Sequence, residues 1–186
     1  MLKDIIAKAK KIILTPKEFF QSAKKETGIK TALSFFAILS LFNAILSVVI
    51  FFITNSSSLS KTSMSSSFFG PSLVIGYLIN LGISFVYAGL LHLWIKLFKG
   101  SGKFEKTYQL YVYSQTLKLL IGWIPVASIL GWFYSFYLLI IGTQEFHKIS
   151  KKKTIIMYII PAVLLTILGF VVAFLVSQYL VTNPKL

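Results

Sequence analysis

The sequence predicts an all-α protein, a polytopic membrane bundle of five transmembrane helices (residues 31–186) preceded by an amphipathic cytoplasmic helical arm (residues 1–30). Of 186 residues, 56% are hydrophobic and only 13% are charged, against roughly 25% charged in an ordinary soluble domain. Four stretches, 31–60, 62–95, 119–144 and 154–184, carry no charge at all. Each exceeds the roughly 20 residues that cross a bilayer as helix. The lysines, finally, gather on alternate connections between these stretches.

In the arm, Leu2, Ile5, Ile6, Ala9, Ile12 and Ile13 share one helical face, with Lys3, Asp4, Lys8, Lys10 and Lys11 opposite, the pattern of a helix lying in a membrane interface. Lys3, Lys8, Lys10 and Lys11 are expected on anionic headgroups, each adding about 1 kcal/mol of attraction. A partner protein is the other surface such a helix fits. Thr15-Pro16-Lys17-Glu18 spells a capping box with proline at the first helical position, so a second short helix carrying Phe19, Phe20 and Ala23 should follow. The arm does not read as a cleavable signal, because its lysines alternate with short apolar groups and the first long apolar run starts at 31.

Spans are placed at 31–54, 72–98, 107–124, 125–146 and 154–180. Residues 55–67, rich in serine, make a polar connection between the first two. The run 107–146 is too long for one crossing and suits two. Pro125 divides it: proline cannot continue the hydrogen bonding of an incoming helix and restricts the residue before it, so Gly122-Trp123-Ile124-Pro125 reads as a tight turn.

All 19 basic residues are lysine. Eight precede the first span, Lys96, Lys99, Lys103 and Lys106 flank the second connection, and Lys148, Lys151, Lys152 and Lys153 fill the fourth. Only Lys61 and Lys185 fall on the other side. Sixteen against two places the N-terminus in the cytoplasm, and five crossings then place the C-terminus outside. The net charge of +14 on so apolar a chain points to anionic lipid rather than nucleic acid.

Polar residues within the spans are the candidate functional groups. Asn80 and His92 lie on a ridge of small and polar residues recurring every fourth position from Ser72 to Lys96, which suits close helix packing or a polar pathway. Tyr111, Gln115 and Lys118 share one face of the third span, and such a stripe should face protein or water. Lys118 costs about 2.5–3.5 kcal/mol at depth unless it snorkels outward. Glu145 ends the fourth span and can pair with His92, His147 or a loop lysine.

Catalytic equipment is missing from the sequence. There is no cysteine, hence no thiolate ligand or nucleophile, no arginine, no nucleophile elbow or zinc-protease motif, and one aspartate, Asp4, outside the spans. Metal-assisted phosphotransfer needs clustered carboxylates. The expectation is no enzyme, no cofactor and no metal. Gly100-Ser101-Gly102-Lys103 lacks the spacing of a phosphate loop and reads as a turn.

Pro16 with Phe19-Phe20, Gly100-Ser101-Gly102-Lys103-Phe104, Thr107, Tyr113-Ser114, Pro125, Gly142 and His147 before the lysine connection together resemble the Yip family, five-span membrane proteins whose eukaryotic members interact with Rab GTPases in early secretory trafficking. The resemblance implies a non-catalytic membrane adaptor that organises or shapes membrane, with membrane-protein partners or a second copy of itself, and draws attention to Tyr113. Two departures stand out: Gln115-Thr116-Leu117-Lys118 occupies positions where the family often has proline, and the arm has no Asp-Leu-Tyr-Gly-Pro stretch. GTPase binding is therefore not carried over. A small transporter or channel, with Asn80, His92, Tyr111, Gln115, Lys118 and Glu145 along a path through spans two to four, is the alternative.

Overall fold

A computed structural model describes residues 2–54 and 66–182, with the side chains of 66–70 and 180–181 excepted. The predicted polar connection at 55–67 lies almost wholly outside the described residues. The chain divides into two units, residues 1–149 and 150–186, and every regular element described is an α-helix.

The first unit opens with α1 (Leu2–Leu14), whose Asp4 and Lys11 stand in the first and last turns, where each opposes the helix dipole. Helix α2 (Pro16–Ala23) starts on Pro16 as expected, but the predicted capping box does not form. The Thr15 side chain makes no cap bond; its hydroxyl donates back to the Lys11 carbonyl at 3.3 Å, closing α1 instead. Gly28, at φ +76°, turns the chain into α3 (Lys30–Thr54) through a left-handed conformation that favours glycine.

Helix α4 (Ser66–Leu97) begins six residues before the expected span and carries Pro71 in its first turns, where a proline costs few helical hydrogen bonds. The third predicted span is not one helix. It is α5 (Phe104–Ser114) followed by α6 (Thr116–Ile121), interrupted at Gln115. Local chemistry accounts for the break: the Ser114 and Thr116 hydroxyls donate to the carbonyls of Tyr111 and Tyr113, each at 2.7 Å, and such back-bonding competes with the helical ladder. The Gln115 N–H accordingly bonds to Val112 O, at 3.1 Å, three residues back and not four.

After Gly122 the chain turns through Ile124, held extended at φ −96° and ψ 114°, into α7 (Pro125–His147), as the proline predicted. Lys148, in the left-handed region at φ 56°, ends α7. The second unit contains α8 (Lys151–Thr182), with Pro161 inside it and the Thr154 hydroxyl bonded to Ser150 O at 3.0 Å.

Helix α5 is the centre of the first unit. It packs on α3, α4 and α7, and Thr107, Tyr108, Gln109, Leu110, Val112, Tyr113 and Ser114 are all buried. The buried residues of α3 lie between Ala32 and Ser40, whereas Ile45, Val49, Phe51, Phe52 and Ile53 beyond them are exposed. An apolar surface of that extent belongs in lipid. Four helical segments, Lys30–Thr54, Pro71–Leu97, Pro125–His147 and Lys151–Tyr179, are long and apolar enough to cross a membrane. The pair α5 and α6 falls short by length.

Candidate functional site

The arm is built into the bundle rather than spread beside it. Ala9 and Ile12 of α1 and Phe19, Phe20 and Ala23 of α2 are buried. The Phe19 ring meets Tyr113 edge-on at 5.0 Å and Phe20 meets Phe146 at 5.3 Å. Gly142 makes room for this packing, since a Cβ there would stand 2.8 Å from the Phe20 ring. Tyr134, thirteen residues inside the His147 end of α7, donates to Ile13 O at 2.6 Å.

Polar contacts fix the hinge between arm and first span. The Glu26 carboxylate accepts from Lys8 Nζ at 2.8 Å and from the Tyr113 hydroxyl, while Lys8 Nζ lies 5.1 Å from the centre of the Tyr113 ring. Lys106 Nζ donates to the carbonyls of Ala23 and Glu26 and to Gln109 Oε1 at 2.9 Å. Gln109 Nε2 donates to Gly28 O at 2.8 Å, so one turn of α5 holds the carbonyls at the end of α2 and in the segment that follows it. Lys24 pairs with Glu145.

A second cluster sits where α4 and α7 end. Thr107 Oγ1 stands 2.6 Å from His92 Nδ1 and 3.1 Å from His147 Nε2, so one hydroxyl bridges two imidazoles. The Ser101 N–H and hydroxyl both donate to His147 O, at 3.1 and 3.3 Å, and His147 Nδ1 has no hydrogen-bond partner. Gly102 lies against that ring: a Cβ there would come within 2.7 Å of His147 Cε1. Among the described residues no three His, Asp or Glu side chains are placed to hold a metal ion.

Toward the other end, α3, α4, α5 and α6 enclose an open cavity of about 450 Å3 lined by Asn43, Ser47, Gly76, Asn80, Tyr111, Gln115 and Lys118 among others. Asn43 donates to Leu119 O at 2.9 Å. Four of the seven intramembrane candidates, Asn80, Tyr111, Gln115 and Lys118, are thus brought together. The remaining three are elsewhere: His92 in the imidazole cluster, Tyr113 under the arm, and Glu145 on Lys24.

The Yip1 domain family model matches residues 10–173. The chain belongs to the Yip1 domain family. No curated protein and no solved structure matches it. It is a multi-pass integral membrane protein of that family, and the arm from Lys10 onward falls inside the matched region. Within this Yip1 domain no local pattern marks the roles of Glu26, Lys106 and Gln109, whose partners lie about 80 residues away along the chain. Asn43 was equally silent, a single amide in a long apolar run. Lys8, expected on lipid, is instead turned inward to Glu26, because a buried tyrosine hydroxyl and a carboxylate offer it partners; Lys3, Lys10 and Lys11 are exposed.

Proposed function

We propose that this protein is a non-catalytic membrane adaptor or membrane-organising protein, in membrane trafficking or shaping, with five crossings, a cytoplasmic N-terminus and an external C-terminus. The observation that carries the reading is the docked arm. Glu26, Lys8, Lys106 and Gln109 hold α1 and α2 against α5, and this leaves Lys3, Lys10, Lys11 and Lys17 exposed beside Leu2, Ile6 and Leu14. Such an edge suits anionic headgroups. Partners are other membrane proteins or a second copy.

The fifth crossing is assigned to α5 and α6. Ser101, before α5, bonds to His147 at the end of α7, so the segment between them leaves and returns to one end of the bundle. From Phe104 to Ile121 there are 18 residues, about 27 Å of helix, close to the roughly 30 Å of a hydrocarbon core.

Co-purification from mild detergent tests the adaptor reading. Stable protein partners that depend on an intact arm support it, and a protein that copurifies with nothing and self-associates with nothing contradicts it. The transport alternative draws on the cavity that holds Asn80, Gln115 and Lys118. Against a continuous path, His92 and Glu145 engage Thr107 and Lys24. Solute flux in vesicles that Lys118→Met abolishes would favour transport.

A further inference from the structure

The cavity between α3, α4, α5 and α6 is lined by one cation, Lys118, which among the described residues has no counter-ion. The chain has five acidic residues, Asp4, Glu18, Glu26, Glu105 and Glu145, and none lines the cavity. They stand in the arm or near it: Glu26 takes Lys8, Glu145 takes Lys24, and the Glu105 carboxylate accepts from the Gly28 N–H at 3.3 Å. Lys118 is seven residues before Pro125, at the hairpin end of α6, and among the described residues pairs with no carboxylate. Lys118 is exposed into the open cavity, so its ammonium is available to whatever occupies that space. An anion that pairs with it comes from outside the described residues.

The lining fits an anion. Asn80 is exposed on α4 and lines the cavity, where its amide can donate. Gln115 and Tyr111 bring a second amide and a hydroxyl to the same space. Its volume of about 450 Å3 lies in the range of small-molecule sites, roughly 300–1,000 Å3.

A second cavity identifies the rest of the ligand. A groove of about 300 Å3 shares Ala44, Val48, Leu73 and Tyr77 with the first and runs on along aliphatic side chains to Val49 and Val74. The Tyr77 hydroxyl is already given to Ala37 O, at 2.9 Å, so the groove offers a ligand almost nothing polar. A cationic chamber opening into an aliphatic groove matches a molecule with an anionic head and an acyl chain.

We propose that this double cavity is a binding site for an anionic phospholipid, its phosphate on Lys118, Asn80 and Gln115 and one acyl chain along the α3–α4 groove. A generic snorkelling lysine would use only its own charge; this site uses the amide and the groove as well.

The test uses the full chain, delipidated in detergent, with thermal stability and lipid retention in native mass spectrometry as readouts. Phosphatidylglycerol should bind and stabilise it, whereas phosphatidylcholine and inorganic phosphate should not. Lys118→Met and Asn80→Ala should each weaken phosphatidylglycerol retention, the former by about tenfold, and Lys118→Arg should retain it. Ala44→Phe, which fills the junction but keeps the charge, should also lose the lipid, and so decides the matter if Lys118→Met does not fold. Lys152→Met in α8 is the control and should bind as wild type. Equal binding of phosphatidylcholine, undiminished binding by Lys118→Met, or undiminished binding by Ala44→Phe would overturn the proposal. Stabilisation by inorganic phosphate matching that by phosphatidylglycerol would make this a free-anion site and overturn the lipid assignment.

Discussion

Replacing Glu26 by Gln should loosen the arm without unfolding the rest of the bundle. In the wild type its carboxylate receives Lys8 Nζ and the hydroxyl of a fully buried tyrosine, Tyr113. Gln keeps the shape and one acceptor but removes the charge, so it weakens a charge-assisted bond worth about 1.5–3 kcal/mol. The Lys8 pair adds less, because its side chains are 21% and 28% exposed and water screens them; about 0.5–1 kcal/mol is appropriate. The arm should lose about 2–3 kcal/mol of docking free energy, and Tyr113→Phe about 1.5–3 kcal/mol. Since each 1.4 kcal/mol is tenfold, amide hydrogen exchange in α1 should accelerate roughly 30- to 150-fold in the Gln variant, while exchange in the middle of α7 stays as it was. Because both variants disrupt one hydrogen bond, their effects should combine to less than their sum. Unchanged exchange in α1 for both single variants, or strict additivity in the double variant, would refute the docking account.

Three further outcomes follow from the same contacts. Gly142→Ala places a methyl against Phe20 and Leu110, overpacking that should cost about 1–3 kcal/mol and expose the arm to limited proteolysis. Thr107→Val strips both His92 Nδ1 and His147 Nε2 of their shared partner and should lower thermal stability by an amount on the order of 1–3 kcal/mol, with Thr107→Ser restoring most of it. A peptide of residues 1–30 should become helical on anionic vesicles and release as salt rises, because exposed Lys3, Lys10, Lys11 and Lys17 act through screened attraction; salt-independent binding would point to apolar insertion alone.

Charge-free runs and Pro125 made the long helices and the hairpin legible, since a membrane-spanning helix and a proline stop both act through the local chain. The break at Gln115 was not legible as such: it arises when Ser114 and Thr116 turn their hydroxyls back on the helix, a choice that sequence leaves open. The arm shows the ambiguity of amphipathic periodicity. Ala9 and Ile12 announce a helix with one apolar face, but lipid and protein are equally apolar covers, and only the distant Phe146 and Gly142 reveal which one takes Phe20. Likewise, the spacing of Tyr111, Gln115 and Lys118 marked one side of the cavity, while Asn43 became part of it only through α3 packing on α6.

A fifth crossing by α5 and α6 would put the tip of the α6–α7 hairpin outside the cell. Val126 is 79% exposed just after Pro125. A single cysteine there should react with a membrane-impermeant maleimide added outside sealed cells, while single cysteines at Ser101 and Ser150 react only after permeabilisation. Labelling of the Val126→Cys variant only from the cytoplasmic side, or from neither side, would make the hairpin re-entrant and contradict the five-span account.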